Sequence, residues 1–197
     1  MSYTPAEVSF LMDHHEEIAS LDLALTKASR LKDAEVLKEK FGDFGRAVME
    51  LVTARNSGKL PHNWLMDADS AQQATPTGVA VYRMSFLAEQ GVRTVHDLTC
   101  SIGTEGYNCP LDYFGSDLDE SRVRMARYNL SSANIFRADA LTTTTTADVL
   151  LADPARRAGG RRITRPEDLV PPLPEVVDKP RGNVLAIKGC RLYASPR

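Results

Sequence analysis

Cysteine is scarce in this chain, and the three present, Cys100, Cys109 and Cys190, form no C-x-x-C pair and match no zinc or redox spacing. An odd count without such a pair fits a reducing cytosol. Long apolar runs are missing too: nothing approaches the ~18 consecutive apolar residues that a membrane span requires. The opening MSYTPAEVSF has no basic segment followed by an apolar one, so it does not read as a secretory signal. Histidine is limited to His14, His15, His62 and His96, two adjacent and two isolated, and reads as structural or exposed rather than metal-ligating. These absences predict a cytoplasmic protein with no metal and no membrane partner.

What is present is ordinary in amount. The 197 residues allow one full domain and a smaller companion, and 43% hydrophobic with 25% charged residues suits a globular core. The net charge of −2 implies no partner, but its distribution is uneven. Residues 1–154 hold 14 basic and 22 acidic side chains; residues 155–197 hold 10 and 4. A basic C-terminal part on an acidic body is compatible with a phosphate-bearing substrate, and equally with a solvated surface.

Residues 1–60 read as a small helical unit. Thr4-Pro5-Ala6-Glu7 is a capping box with proline at the first helical position, followed by Val8, Leu11, Met12, His15 and Ile18 at helical spacing. Further helices are predicted over 21–41, stopped by Gly42, and over 44–55. Residues 61–76 read as a connecting segment, with Trp64 as a packing anchor. Residues 77–197 then form an α/β core: a helix capped by Thr77, strands over 92–98, 112–117, 134–137, 147–152 and 183–188, and a helix capped by Asp119. Near-continuous apolar strands alternating with helices predict a Rossmann-like, doubly wound, mostly parallel sheet.

In such a sheet ligands bind at the carboxyl ends of the strands. After the first strand, Asp97-Leu98-Thr99-Cys100-Ser101-Ile102-Gly103 has small residues that let backbone approach a ligand, although a plain turn accounts for it as well. Asp117 ends the second strand, where, roughly 20 residues past the first loop, a carboxylate can accept from ribose hydroxyls. Asp139 follows the third strand, near an adenine edge or simply in a turn. Asp153-Pro154 ends the fourth; Pro154 stiffens the turn and leaves its carbonyl available as an acceptor. Beyond it Arg156, Arg157, Arg161 and Arg162 form a basic lip that is suited to RNA phosphates or to solvent.

With those residues in view, the chain resembles the class I S-adenosylmethionine-dependent methyltransferases. More narrowly, it resembles actinobacterial proteins that join a helical N-terminal region and a methyltransferase core to a C-terminal THUMP-like domain. The resemblance runs through Leu25-Thr26-Lys27-Ala28, Gln72-Gln73-Ala74-Thr75, Asp117-Leu118-Asp119, Arg137-Ala138-Asp139-Ala140 and Asp153-Pro154-Ala155-Arg156-Arg157. It implies S-adenosylmethionine as cofactor. Asp97, Cys100 and Gly103 would surround its methionine part, with Asp117 on the ribose, Asp139 on the adenine amine, and Asp153-Pro154 at the acceptor. Asp153-Pro154 is similar to the acidic or amide proline motifs of nitrogen methyltransferases, which implies a nucleobase nitrogen in RNA (tRNA or rRNA) as acceptor and Arg156, Arg157, Arg161 and Arg162 as substrate contacts.

The sequence departs from the family in three places. Thr99 and Ser101 stand where glycines are usual, and Pro110 shortens the segment after the first loop. The last strand pair and the THUMP-like domain are absent, so the core is expected to be C-terminally truncated at about five strands. Two other readings stand beside the methyltransferase. One is a degenerate binding module without catalysis. The other is an NAD-dependent oxidoreductase, since residues 101–106 nearly spell G-x-G-x-x-G and Asp117 suits either ribose.

Overall fold

The capping box at Thr4 starts the first helix, α1 (Pro5–Asp13): the Thr4 hydroxyl accepts from the Glu7 N–H at 3.2 Å, and the Glu7 carboxylate accepts from the Thr4 N–H at 2.8 Å. The computed structural model describes residues 3–23, 25–142, 145–155, 157–158, 161–178 and 184–187. The helical periodicity continues past α1, but the helix breaks at His14, whose ring stacks on Phe10 at 3.9 Å, and resumes as α2 (His15–Ala19). The helix expected over 21–41 is shorter, α3 (Arg30–Phe41). Thr26 and Ser29 explain the difference: each hydroxyl accepts from the other's backbone N–H at 3.1 Å, holding a turn where helix was expected. Gly42, at φ +57°, ends α3, and α4 (Gly45–Arg55) follows.

The segment read as a connector contains a short helix, α5 (Ala68–Gln73). Asp67 caps it by accepting the Ser70 N–H at 2.6 Å. Next comes α6 (Thr77–Glu89), which begins after Pro76 with no side-chain cap, so Thr77 is its first residue rather than its cap. Then follow β1 (Thr94–Asp97), β2 (Asp112–Asp117), α7 (Glu120–Asn129), β3 (Asn134–Arg137) and β4 (Val149–Ala152). A two-residue pair, β5 (Arg157–Ala158) and β6 (Arg161–Arg162), is antiparallel; it and α8 (Leu173–Asp178) have no counterpart in the sequence reading. The last described element is β7 (Val184–Ile187).

The main sheet has the order β3-β2-β1-β4-β7, every pair parallel. The chain reverses direction across the sheet between β1 and β4, which makes the carboxyl ends of those strands the natural ligand crevice. The amino ends are held by Asp148. Its carboxylate accepts the N–H groups of Arg93 and Thr94, both at 2.9 Å, while the Asp148 N–H donates to the Thr94 hydroxyl at 2.8 Å. Those bonds hold the Asp148 carboxyl below the usual range.

The helices from α1 to α5 share one continuous core with the sheet: Leu11, Leu37, Leu51 and Leu65 belong to the same buried cluster as Val95, Met125 and Ile135. Asn129, at the end of α7, joins the two parts. It accepts the Leu65 N–H at 2.8 Å and donates to the carbonyls of Leu65 and Ile102 at 2.9 and 3.1 Å. Trp64 is buried against the edge of Tyr107, with ring centroids 5.7 Å apart. No described helix is long and apolar enough to cross a membrane, and no described group of histidine, cysteine and acidic residues could hold a metal ion.

Candidate functional site

A cleft of about 190 Å³ lies across the carboxyl ends of the strands, and Asp97, Asp117, Asp139 and Asp153 all line it. Four residues spread over 57 positions are therefore brought to one place by the parallel order of β1 to β4.

Asp97, buried at the tip of β1, accepts the Thr99 N–H at 3.1 Å and the Tyr113 hydroxyl at 3.3 Å. The loop then doubles back through Ser101, which adopts φ +51°, a left-handed conformation uncommon outside glycine. The Ser101 N–H donates to Asp117 at 3.0 Å, and this bond compensates the strain. Thr99 also has a structural task, since its hydroxyl accepts the Asp153 N–H at 2.7 Å and ties the β1 loop to the end of β4. Both departures from the usual glycines are thus absorbed into bonds across the site.

The Asp117 carboxylate is the most strongly determined group in the cleft. One oxygen accepts from Ser101, and the other from the Asp119 N–H at 2.9 Å. Burial raises its pKa above the ordinary aspartate value, partly offset by those two bonds and by the positive Arg122 guanidinium. Asp119 accepts the Arg122 N–H at 3.1 Å and caps α7, as expected of it. Asp139 is exposed and accepts the Leu141 N–H at 2.8 Å, a turn bond that leaves it on the rim of the cleft.

Three of the expected site residues do not line the cleft: Cys100, Gly103 and Pro154. Cys100 is buried, and burial together with the nearby Asp97 and Asp117 pushes its thiol well up, so it remains protonated at neutral pH. Gly103 serves the backbone at φ +90°, where a Cβ would sit 2.6 Å from Leu130 Cδ1. Pro154 is buried behind Asp153. Arg156 lies outside the described residues, while Arg157, Arg161 and Arg162 lie on β5 and β6.

Sequence reading missed one wall of the cleft, formed by Ser70, Gln73 and Ala74 at the end of α5. The Asp67-x-x-Ser70 cap was the available signal, obscured because the helix after it has only six residues. Glu105 and Arg122 were also missed. Glu105 accepts the Thr75 hydroxyl at 2.6 Å and pairs with Arg83 at 2.5 Å, so α6 is bolted to the turn after the β1 loop. The Glu105 side chain is 6% exposed and that of Arg83 30%, so removing the arginine leaves the better-buried charge behind. Arg83→Met is expected to destabilise the chain by about 3 kcal/mol, the cost of breaking a buried pair from one side. Denaturant unfolding checks this, and a loss below about 1 kcal/mol would mean that solvent screens the pair as it screens surface pairs.

No family model matches the chain. Two proteins of Mycobacterium tuberculosis, from strains CDC 1551 and H37Rv, are each 37% identical to it over 169 residues, and both are described as uncharacterised S-adenosylmethionine-dependent methyltransferases. By sequence, the chain is similar to those two proteins over that span. The match covers 77% of this chain and 46% of each relative, so the chain spans about half the length of the curated relatives it matches. Among solved structures, an S-adenosylmethionine-bound amino pentose methyltransferase from Micromonospora echinaspora is 17% identical with a TM-score of 0.36, over 41% of this chain and 37% of that one. A Pyrococcus abyssi tRNA (uracil-54, C5)-methyltransferase in complex with S-adenosylhomocysteine is 23% identical with a TM-score of 0.37, over 47% of this chain and 26% of that one.

One competing sequence reading loses its structural basis. A dinucleotide site needs a helix N-terminus facing the pyrophosphate after the glycine-rich loop. Here the loop runs into a three-residue 3-10 turn, Thr104–Gly106, which ends at Tyr107.

Proposed function

We propose that the chain binds S-adenosylmethionine and transfers its methyl group to a nucleobase nitrogen in RNA. The observation that carries this reading is the convergence of Asp97, Asp117, Asp139 and Asp153, in strand order, on one cleft. The cleft fits the cofactor chemically. Asp117 is a desolvated carboxylate already oriented by two backbone N–H bonds, and each oxygen retains acceptor capacity for a ribose hydroxyl. Asp139 on the rim suits an exocyclic amine, and Asp97 at the buried end suits a cationic amino group.

When bound, the cofactor supplies an activated methyl group, so the protein's work is positioning rather than activation. Asp153 at the end of β4 would orient the acceptor and hold its departing proton, with the buried Pro154 stiffening the turn that follows it. Arg157, Arg161 and Arg162, with Arg156 outside the described residues, are the proposed phosphate contacts. The acceptor assignment rests on the likeness of Asp153-Pro154 to proline motifs of nitrogen methyltransferases and on that basic segment. The helical residues 1–60 and the core from residue 77 act here as one body, with residues 61–76 supplying a wall of the cleft.

Calorimetric titration with S-adenosylhomocysteine, with NAD as the control ligand, tests the cofactor half of this reading. Saturable binding of S-adenosylhomocysteine and none of NAD is expected. At ~100 times its dissociation constant the ligand should also stabilise the folded chain by roughly 2.7 kcal/mol, visible as a thermal shift. A folded chain that binds neither ligand would leave a non-catalytic module as the better description.

A further inference from the structure

A second groove lies away from the cleft, between α1 and the corner where α7 meets β3. It encloses about 490 Å³ and is lined by Ser9, Met12, Glu120, Arg124, Arg127 and Arg137 among others. Three guanidinium groups against one carboxylate leave it with a net charge of +2. That sign runs against the surrounding body, since residues 1–154 carry 14 basic and 22 acidic side chains.

Arg127 and Arg137 are exposed, but each is anchored by a backbone bond. Arg127 Nε donates to the Ile135 carbonyl at 2.9 Å, and Arg137 Nε donates to the Leu118 carbonyl at 2.9 Å. Each backbone bond engages Nε and uses neither terminal nitrogen. Arg124 is committed locally, to Glu120 at 2.6 and 3.1 Å and to the Ser9 hydroxyl at 3.1 Å. Arg137 Nη1 makes only a long ion pair with Glu120, at 3.9 Å, which leaves its other terminal nitrogen for a further acceptor. Among the described residues, no acceptor meets the terminal nitrogens of Arg127. Two guanidinium groups anchored at Nε, one on a helix and one on the adjoining strand, offer terminal N–H groups suited to phosphate oxygens.

We propose that this groove binds the sugar-phosphate backbone of the RNA whose base is presented at Asp153; the proposal rests on the RNA reading above. Two forks on different elements form a track rather than a single socket, which favours a repeating polyanion over a small free anion. The site is also connected to the cleft. Leu118, whose carbonyl anchors Arg137, lines the cleft and is 61% exposed. β3 and β4 are separated by β2 and β1, three strand spacings or roughly 14 Å, a distance that a few nucleotides bridge.

The test uses the full chain and a fluorescein-labelled stem-loop RNA, with anisotropy followed over a series of KCl concentrations. Arg127→Gln/Arg137→Gln, checked for folding by circular dichroism, should bind RNA at least tenfold more weakly at low salt. Its log K against log salt slope should be shallower by about 1.4, two single-strand phosphate contacts at about 0.7 each. Its affinity for S-adenosylhomocysteine should equal that of the unmodified chain. An unchanged slope and affinity would overturn the proposal, as would unmodified protein that binds S-adenosylhomocysteine but no RNA. Equally tight binding to phosphatidylserine vesicles would overturn it in favour of a lipid surface. RNA binding that depends on the two arginines, in a chain that never binds S-adenosylhomocysteine, would support the groove while removing the methyltransferase reading.

Discussion

Asp117→Ala is expected to weaken S-adenosylhomocysteine binding by at least about 100-fold. Two ribose hydroxyls donating to a buried carboxylate make charge-assisted bonds of about 1.5–3 kcal/mol each. Together they contribute roughly 3–6 kcal/mol, and every 1.4 kcal/mol is about tenfold in affinity. The substitution also releases the N–H groups of Ser101 and Asp119, so the comparison belongs with a folding control. The pH dependence separates the two effects. Because burial raises the pKa of Asp117, the folded chain holds its proton more tightly than the unfolded chain does. Its contribution to folding is therefore favourable below the ordinary aspartate value and is lost as pH rises through the raised value. Ligand binding runs the other way, since a protonated carboxyl loses acceptor strength, and affinity should fall as pH drops through that same window. Across matched pH values, the difference in unfolding free energy between the unmodified chain and Asp117→Ala should slope opposite to the unmodified chain's affinity. Asp148 and Glu7, both lowered, contribute alike to the two chains. Binding that survives the substitution within about threefold would remove Asp117 from the ligand.

Gly45→Ala should be the most damaging single-methyl change in the helical part, at about 3 kcal/mol, the upper end for overpacking. A Cβ there would lie 2.8–2.9 Å from the backbone of Leu37 and Lys38, where α3 and α4 cross, and backbone cannot swing aside as a side chain can. In a chain of this size that corresponds to a fall in melting temperature of roughly 6–12 °C. The same chemical change at Gly78, in the first turn of α6 with nothing within 4 Å, should instead raise stability by about 0.5–1 kcal/mol. Thermal melts of the two variants decide the matter, and equal shifts would mean that the α3–α4 crossing adjusts freely.

The sheet was legible because its signals are local and repeated. β2 and β3 fall where apolar strands were expected, at 112–117 and 134–137, with Asp117 ending the first and Asp119 capping the helix between them. The helical region was less legible. Its periodicity could not show that His14 would stack on Phe10, or that Thr26 and Ser29 would bond each other's backbone instead of continuing a helix. At the site, the four aspartates could be ordered along the chain because strand ends are visible in sequence. Arg122 and Glu105 could not, because their place in the cleft depends on a capped helix and on an ion-pair partner 22 residues away. Cys100 shows what a strand-end loop cannot reveal about side-chain direction. It stands in the right loop, but its side chain packs inward beside Gly115.

Asp148 lies at the end of the sheet opposite the cleft, yet it governs what the cleft contains. By binding Arg93 and Thr94 it sets the starting line from which β1 and β4 are counted, four residues and roughly 13 Å below the strand tips. In a parallel ladder, a slip of one residue turns every side chain to the opposite face. Such a slip in β1 would exchange the acidic floor at Asp97 for Leu98. The cleft is thus accurate at one end because the ladder is zeroed at the other.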